Sequence, residues 1–251
     1  MRTIMITGAS SGFGEAIALT MAKENCKLIL TARREDRLKQ VCNKISETTN
    51  SQVFPIIFDV RDEAACERAI NSIPADFRDI DVLINNAGLA VELDPIHKGA
   101  LEDWERMIDT NIKGLLYITR LIAPMMVERK SGHIINLGST ASHEVYTGGG
   151  VYCATKHAVL ALSKAMRTDF LPYGIKVTMI APGAAETEFS NVRFHGNQER
   201  ADKVYEGYDP LVAQDIADIV EFVLSRPAHV CLNEIIVTPT AQFNGVIVRN
   251  K

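Results

Sequence analysis

The chain is predicted to fold as an α/β domain around a doubly wound parallel sheet, on three observations. Short β-rich apolar segments alternate with segments of helical period, several of the apolar segments lack two-residue alternation, and a glycine-rich turn follows the first of them. Alternating units of this kind build a parallel sheet with right-handed crossovers, and strands covered on both faces read as unbroken apolar runs. In order, the expected strands are Arg2–Thr7, Lys27–Thr31, Val53–Phe58, Val82–Asn85, His133–Leu137, Lys176–Ile180 and Glu234–Thr238. Pro55 tells against the third, because proline has no N–H to give to a central ladder. Leu38, Val41, Cys42 and Ile45 share one helical face, as do Ile216, Ile219, Val220 and Val223.

The 251 residues suffice for one large domain, expected to span 1–251 without a linker or second core. From Pro182 to about Tyr208 the chain is polar, charged and weakly periodic. A connection that long in a compact domain predicts a lid or binding loop, here at about 183–208. A net charge of −4 gives no reason to expect nucleic acid or an anionic membrane as partner. No apolar run approaches a bilayer-spanning length, and no signal-peptide pattern precedes Thr3. Cys26, Cys42, Cys66, Cys153 and Cys231 are scattered, without CxxC spacing, which predicts reduced thiols and a cytoplasmic protein. The six histidines form no HExxH or Cys/His cluster, so no metal site is expected.

Thr7-Gly8-Ala9-Ser10-Ser11-Gly12-Phe13-Gly14 lies between the first strand and the first helix. Gly8 permits a sharp turn, Gly12 and Gly14 permit close backbone approach, and the helix N-terminus offers free N–H groups to a pyrophosphate. A Walker A reading fails, because no Gly-Lys-Ser/Thr follows. The second strand ends Leu30-Thr31-Ala32-Arg33-Arg34 with no acid to accept a ribose 2′-hydroxyl. Guanidinium groups suit a 2′-phosphate, so NADP(H) is the expected cofactor; the competing reading is a solvated charge cluster at a helix start.

Tyr152 and Lys156 stand four apart in a helical segment and so share one face. A cation beside a phenol favours the phenolate, which predicts that Lys156 lowers the Tyr152 pKa and makes the pair a proton-transfer device. Tyr-x-x-x-Lys also occurs by chance, so its weight depends on the other motifs.

Those motifs, in order, are the glycine turn, Asn85-Asn86-Ala87-Gly88, Asn111, Ser139 and Tyr152-x-x-x-Lys156. Together the chain closely resembles the short-chain dehydrogenase/reductase family over essentially its whole length. The resemblance implies a single Rossmann-type domain with about seven parallel strands and helices on both faces. It implies that Tyr152 is the general acid or base, that Ser139 hydrogen-bonds the reacting oxygen, and that Lys156 holds the nicotinamide ribose. It implies that Asn111 supports a water relay to solvent. The cofactor would be held by Thr7, Gly8, Ser10, Ser11, Gly12, Phe13, Gly14, Arg33, Arg34, Asp59, Val60, Asn86, Ala87 and Gly88. Tyr152 and Lys156 would join them, and Pro182, Gly183 and Thr187 would close over the nicotinamide end.

Glu186 to Phe194 with Gly196, Asn111-x-Lys113-Gly114-Leu115 and Gly138-Ser139-Thr140-Ala141 resemble the subgroup acting on serine and other 3-hydroxy acids. That implies an NADP-dependent enzyme of small 3-hydroxy acids and, by family alone, a homotetramer. Ala184-Ala185, Ser142 and His143-Glu144 depart from that subgroup and leave the exact substrate open. Arg193, the one arginine of the lid's first part, is a candidate for the substrate carboxylate; pairing with Glu186 or Glu188 is the competing reading. The rival functions are a reductase of uncharged ketones or aldehydes and a non-catalytic NADP-binding protein. A sugar-nucleotide epimerase ranks lower, since 251 residues leave little room for its substrate domain.

Overall fold

A computed structural model describes residues 1–243. Seven parallel strands form one sheet: β1 (Thr3–Thr7), β2 (Lys27–Ala32), β3 (Gln52–Ile57), β4 (Val82–Asn85), β5 (His133–Leu137), β6 (Lys176–Pro182) and, after two short strands introduced below, β9 (Glu234–Val237). They are ordered β3-β2-β1-β4-β5-β6-β9, so the order reverses between β1 and β4. At such a switch point the loops leaving the carboxyl ends part, and a crevice opens. All seven expected strands are present, with ends shifted by a residue or two. β3 is an edge strand, and Pro55 faces only Leu30 of β2, so an interior ladder never needs its N–H.

One core layer packs α1 (Gly12–Ala22), α2 (Glu35–Thr48) and α9 (Ala213–Leu224) on one face of the sheet. Leu38, Val41 and Ile45 are buried in α2, and Ile216, Val220 and Val223 in α9, as the spacing predicts; Cys42 and Ile219 sit at the margin. The other layer packs α3 (Glu63–Asn71), α5 (Leu115–Arg129) and α6 (Gly150–Phe170) on the opposite face. Between α4 (Leu101–Ile108) and α5 the helix widens into a π-turn over Asp109–Gly114, which carries Asn111. Such turns cost hydrogen-bond geometry and concentrate at functional sites.

The lid segment differs from the expected loop. It holds β7 (Ala185–Glu186), α7 (Glu188–Arg193), α8 (Gln198–Lys203) and β8 (Leu211–Val212), with β7 and β8 paired. Thr187 caps α7 by accepting from the Phe189 N–H, and Asn197 caps α8 by accepting from the Arg200 N–H. Helices this short show no apolar period, which is why only the caps mark them in sequence.

His133, in the fully buried β5, meets the Thr178 hydroxyl at 2.8 Å. Burial, with the charges of Lys176 and Arg2 behind it, pushes the imidazole down from 6.5 to about 3. The unfolded chain therefore takes up this proton first. The stability is present above about pH 6.5 and is lost as pH falls toward 3, by about 2 kcal/mol at pH 5. Denaturant unfolding of His133→Gln at pH 7.5 and 5 should show an acid loss smaller than the parent's by about that amount; equal losses would remove His133 from the explanation.

Candidate active site

The glycine turn is shaped for close approach. Gly8 and Gly12 adopt left-handed backbone, φ +68° and +55°, which favours glycine. A Cβ at Gly14 would lie 2.3 Å from the Gly8 carbonyl oxygen and 2.5 Å from Asn86 Nδ2, so no side chain fits there. Asn86 Nδ2 donates to the carbonyls of Thr7 (2.8 Å) and Gly8 (3.1 Å), tying the turn to the end of β4. Ser11 at the N-cap of α1 makes no side-chain cap, which leaves the first-turn N–H groups facing the crevice.

A cleft of about 400 Å³ runs along the carboxyl edge of the sheet from this turn to Tyr152. Gly8, Ser10, Ser11, Gly12, Phe13, Arg33, Arg34, Asp59, Val60, Asn86, Ala87, Gly88, Tyr152, Lys156 and Thr187 all line it. Thr7 does not: its hydroxyl accepts from the N–H groups of Asn86 and Ala87, both at 3.0 Å, and joins β1 to the β4 loop. Gly14 lies behind the turn; β6 ends at Pro182, and Gly183 just beyond it packs against Gln242. At the cleft's outer end Arg33 pairs with Asp59 at 3.3 Å and Arg34 with Glu188 at 3.0 Å. Burial pushes the Asp59 carboxyl up, but hydrogen bonds from Arg61 and the charges of Arg33 and Arg61 outweigh it and hold the group below its ordinary range.

At the inner end, α6 places Tyr152 and Lys156 on one face in its first two turns. Lys156 Nζ donates to the Leu137 carbonyl at 2.8 Å and lies 5.9 Å from the Tyr152 ring centroid. Burial lowers its pKa to about 8, so at neutral pH the amine remains mostly a cation. The predicted lowering of the tyrosine is not what this arrangement produces. Burial dominates and pushes the Tyr152 phenol up, with Tyr146 adding to the rise; Arg193 and a hydrogen bond from Ser139 oppose it. Tyr152 is thus held as a protonated phenol, with the Ser139 hydroxyl beside it. Ser139 also accepts from the Ala141 N–H and begins a single helical turn, so its hydroxyl is fixed.

Asn111 is buried on the π-turn and ties neighbouring segments together. Its amide donates to the Leu89 carbonyl (2.8 Å) and the Thr155 hydroxyl (3.0 Å), and its oxygen accepts from the Leu89 N–H. Both side-chain donors are therefore engaged, and the residue ties the loop after β4 to α6 beneath Lys156.

Arg193 reaches in from the end of α7. Its guanidinium lies 5.3 Å from the Tyr152 ring and 5.2 Å from the Phe189 ring, and Nη2 donates to the Tyr146 hydroxyl at 3.0 Å. Its Nε is buried with no hydrogen-bond partner among the described residues. Neither Glu186 nor Glu188 forms an ion pair with it; Glu188 is held by Arg34 and Arg37.

A short chain dehydrogenase family profile matches residues 2–198. The chain belongs to the short-chain dehydrogenase/reductase family. It is 48% identical over 247 residues to the NADP-dependent 3-hydroxy acid dehydrogenase YdfG of Salmonella typhi, covering 98% of each chain. With the serine 3-dehydrogenase of Agrobacterium fabrum it shares 44% over 240 residues, covering 96% of this chain and 94% of the other. Among solved structures, the closed form of a serine dehydrogenase complexed with NADP+ superposes with a TM-score of 0.92 at 43% identity, covering 99% of both chains.

This family member also brings residues to the site that the motifs did not single out. Phe189 packs edge-on against Tyr152 at 5.8 Å, Leu89 and Val192 add apolar lining, and Tyr146 orients Arg193. Thr110, on the π-turn, lines the cleft with a buried hydroxyl that has no partner among the described residues. Single aromatic and threonine residues in short helical turns and loops carry no spacing signal, and only the fold assembles them.

Proposed function

We propose that this NADP-dependent oxidoreductase interconverts the 3-hydroxyl and 3-oxo forms of small 3-hydroxy acids such as L-serine, 3-hydroxypropionate or 3-hydroxyisobutyrate. The carrying observation is Arg193: a guanidinium with no carboxylate partner among the described residues, a buried free Nε, and a position against the Tyr152 ring. A buried unpaired donor on a cation is costly unless a ligand anion completes it. A carboxylate two bonds from the reacting carbon could meet that donor while its hydroxyl reaches Tyr152. The names of the relatives support the same class.

The residues present fit the dinucleotide. The glycine turn admits backbone and phosphate, while Arg33 and Arg34 offer cations at the ribose end of the cleft. When bound, the nicotinamide would supply or accept the hydride. Tyr152, held protonated, gives its proton to the substrate oxygen during reduction and takes one back during oxidation. Ser139 donates to that oxygen as charge develops, and the Lys156 cation stabilises the phenolate left behind. Phe189 and Leu89 exclude water.

We place the enzyme in the cytoplasm, a reading supported by its five free thiols. The proposed assembly is a homotetramer. Supporting it, α5 and α6 lie side by side and present Leu116, Ala123, Pro124, Val127, Leu162 and Phe170 along one shallow outer groove.

An absorbance assay of NADP reduction should rank 3-hydroxy acids above neutral alcohols of equal size. Arg193→Ala should lower kcat/KM by about tenfold or more on the acids and little on the alcohols; equal losses would favour the uncharged-substrate reading. In the same assay Tyr152→Phe should cost about a hundredfold or more, and unchanged turnover would leave a cofactor-binding protein instead. Replacing Arg33 and Arg34 together by Ala should weaken kcat/KM with NADP at least about tenfold relative to NAD, and an unaltered preference would refute their assignment. Light scattering should give a mass near four chains; a monomer at micromolar concentration would overturn the assembly.

A further inference from the structure

The lid is fastened across the cleft at places outside the proton-transfer chemistry. Glu188, the first residue of α7, places Oε2 3.0 Å from Arg34 Nη1 and Oε1 on Arg37 Nη1. Arg34 uses its other nitrogen on the hydroxyls of Ser10 and Ser11, so the attachment runs from the lid through Arg34 into the glycine turn. Beside it, Thr187 closes directly on the turn: a Cβ at Gly12 would lie 3.6 Å from Thr187 Cβ. At the far end of the lid Arg200 grips Glu92 with two contacts of 2.6 and 3.0 Å, and the Glu92 N–H donates to the Arg193 carbonyl. Thr187, Glu188, Arg34 and the glycine turn all line the one cleft, so the strap they form roofs it.

We propose that Glu188 is a positioning residue that clasps the lid shut over the bound dinucleotide, so that cofactor release waits on the opening of the Glu188–Arg34–Arg37 triplet. The inference rests on the proposed place of NADP(H) in this cleft. Two arginines on one carboxylate outweigh its partial burial and hold it ionised below its ordinary range. The pairs are partly exposed, with 44%, 47% and 37% of the Arg34, Arg37 and Glu188 side chains accessible. Each contact is therefore weak and quickly broken, as a latch that opens every turnover requires. The same six-residue helix carries Phe189 and Arg193 onto Tyr152. Opening the clasp thus also withdraws the groups that face the substrate.

The test is stopped-flow dissociation of NADPH from the full-length enzyme, with Glu188→Gln removing the charge at constant shape. NADPH release should quicken about fivefold, and the difference from the parent should shrink in about 0.5 M salt. Arg37→Gln, which leaves Arg33, Arg34, Ser10 and Ser11 in place, should quicken it by a smaller factor of about two. Unchanged release in Glu188→Gln, even with lower melting temperature or kcat, would make the residue structural only and overturn the proposal. Slower release or tighter binding would overturn it differently, showing that Glu188 competes with the 2′-phosphate for Arg34. If Glu188→Gln does not fold, Arg37→Gln decides alone, and unchanged release overturns the clasp. Failure of the cofactor placement itself shows up separately, as an unaltered NADP preference on replacing Arg33 and Arg34.

Discussion

The approach of Gly14 to the Gly8 carbonyl is the constraint on which the rest of the site depends. Because no side chain stands between them, α1 starts hard against the end of β1, and the Asn86 amide can bond both carbonyls of the turn. That fixes the β1 and β4 loops on either side of the point where strand order reverses. The inner end of the cleft takes its position from this junction. The loop after β4 is carried to Asn111, Asn111 to Thr155, and α6 presents Tyr152 and Lys156 one turn apart.

Burial then decides the electrostatics. A cation four residues from a phenol on one helix face predicts a lowered tyrosine, yet burial raises Tyr152 more than Arg193 and Ser139 lower it. Burial also brings the lysine down to about 8 without discharging it at neutral pH. In the mechanism we propose, a phenol that keeps its proton beside a retained cation donates it, and the cation meets the phenolate left behind.

Much of this was legible in the residues. The seven strands could be read because parallel strands carry unbroken apolar runs; Pro55 counts against β3, and only the strand order shows that an edge position accommodates it. The glycine turn and the spacing of Tyr152 and Lys156 could be read because local geometry demands them. What could not be read depends on contacts between distant segments. Glu188 meets Arg34 across 154 positions and Arg193 meets Tyr146 across 47, and neither pair has a spacing rule. The π-turn at Asn111 was hidden for another reason: it inserts into a helical pattern without changing which residues are apolar. Likewise the saturation of the Asn111 amide follows from where Leu89 and Thr155 arrive, which no local pattern encodes.

Pro55 has a consequence beyond its own strand. An unpaired outer strand ordinarily offers a row of donors and acceptors to any stray extended chain, and so seeds uncontrolled sheet growth. On β3 that row is interrupted at its middle by a residue with no donor, and the strand's side chains are mostly in contact with water. Crowded copies of this enzyme therefore have poor means of joining through this edge, which leaves β9, at the opposite side of the sheet among the described residues, as the edge still able to template a stray strand.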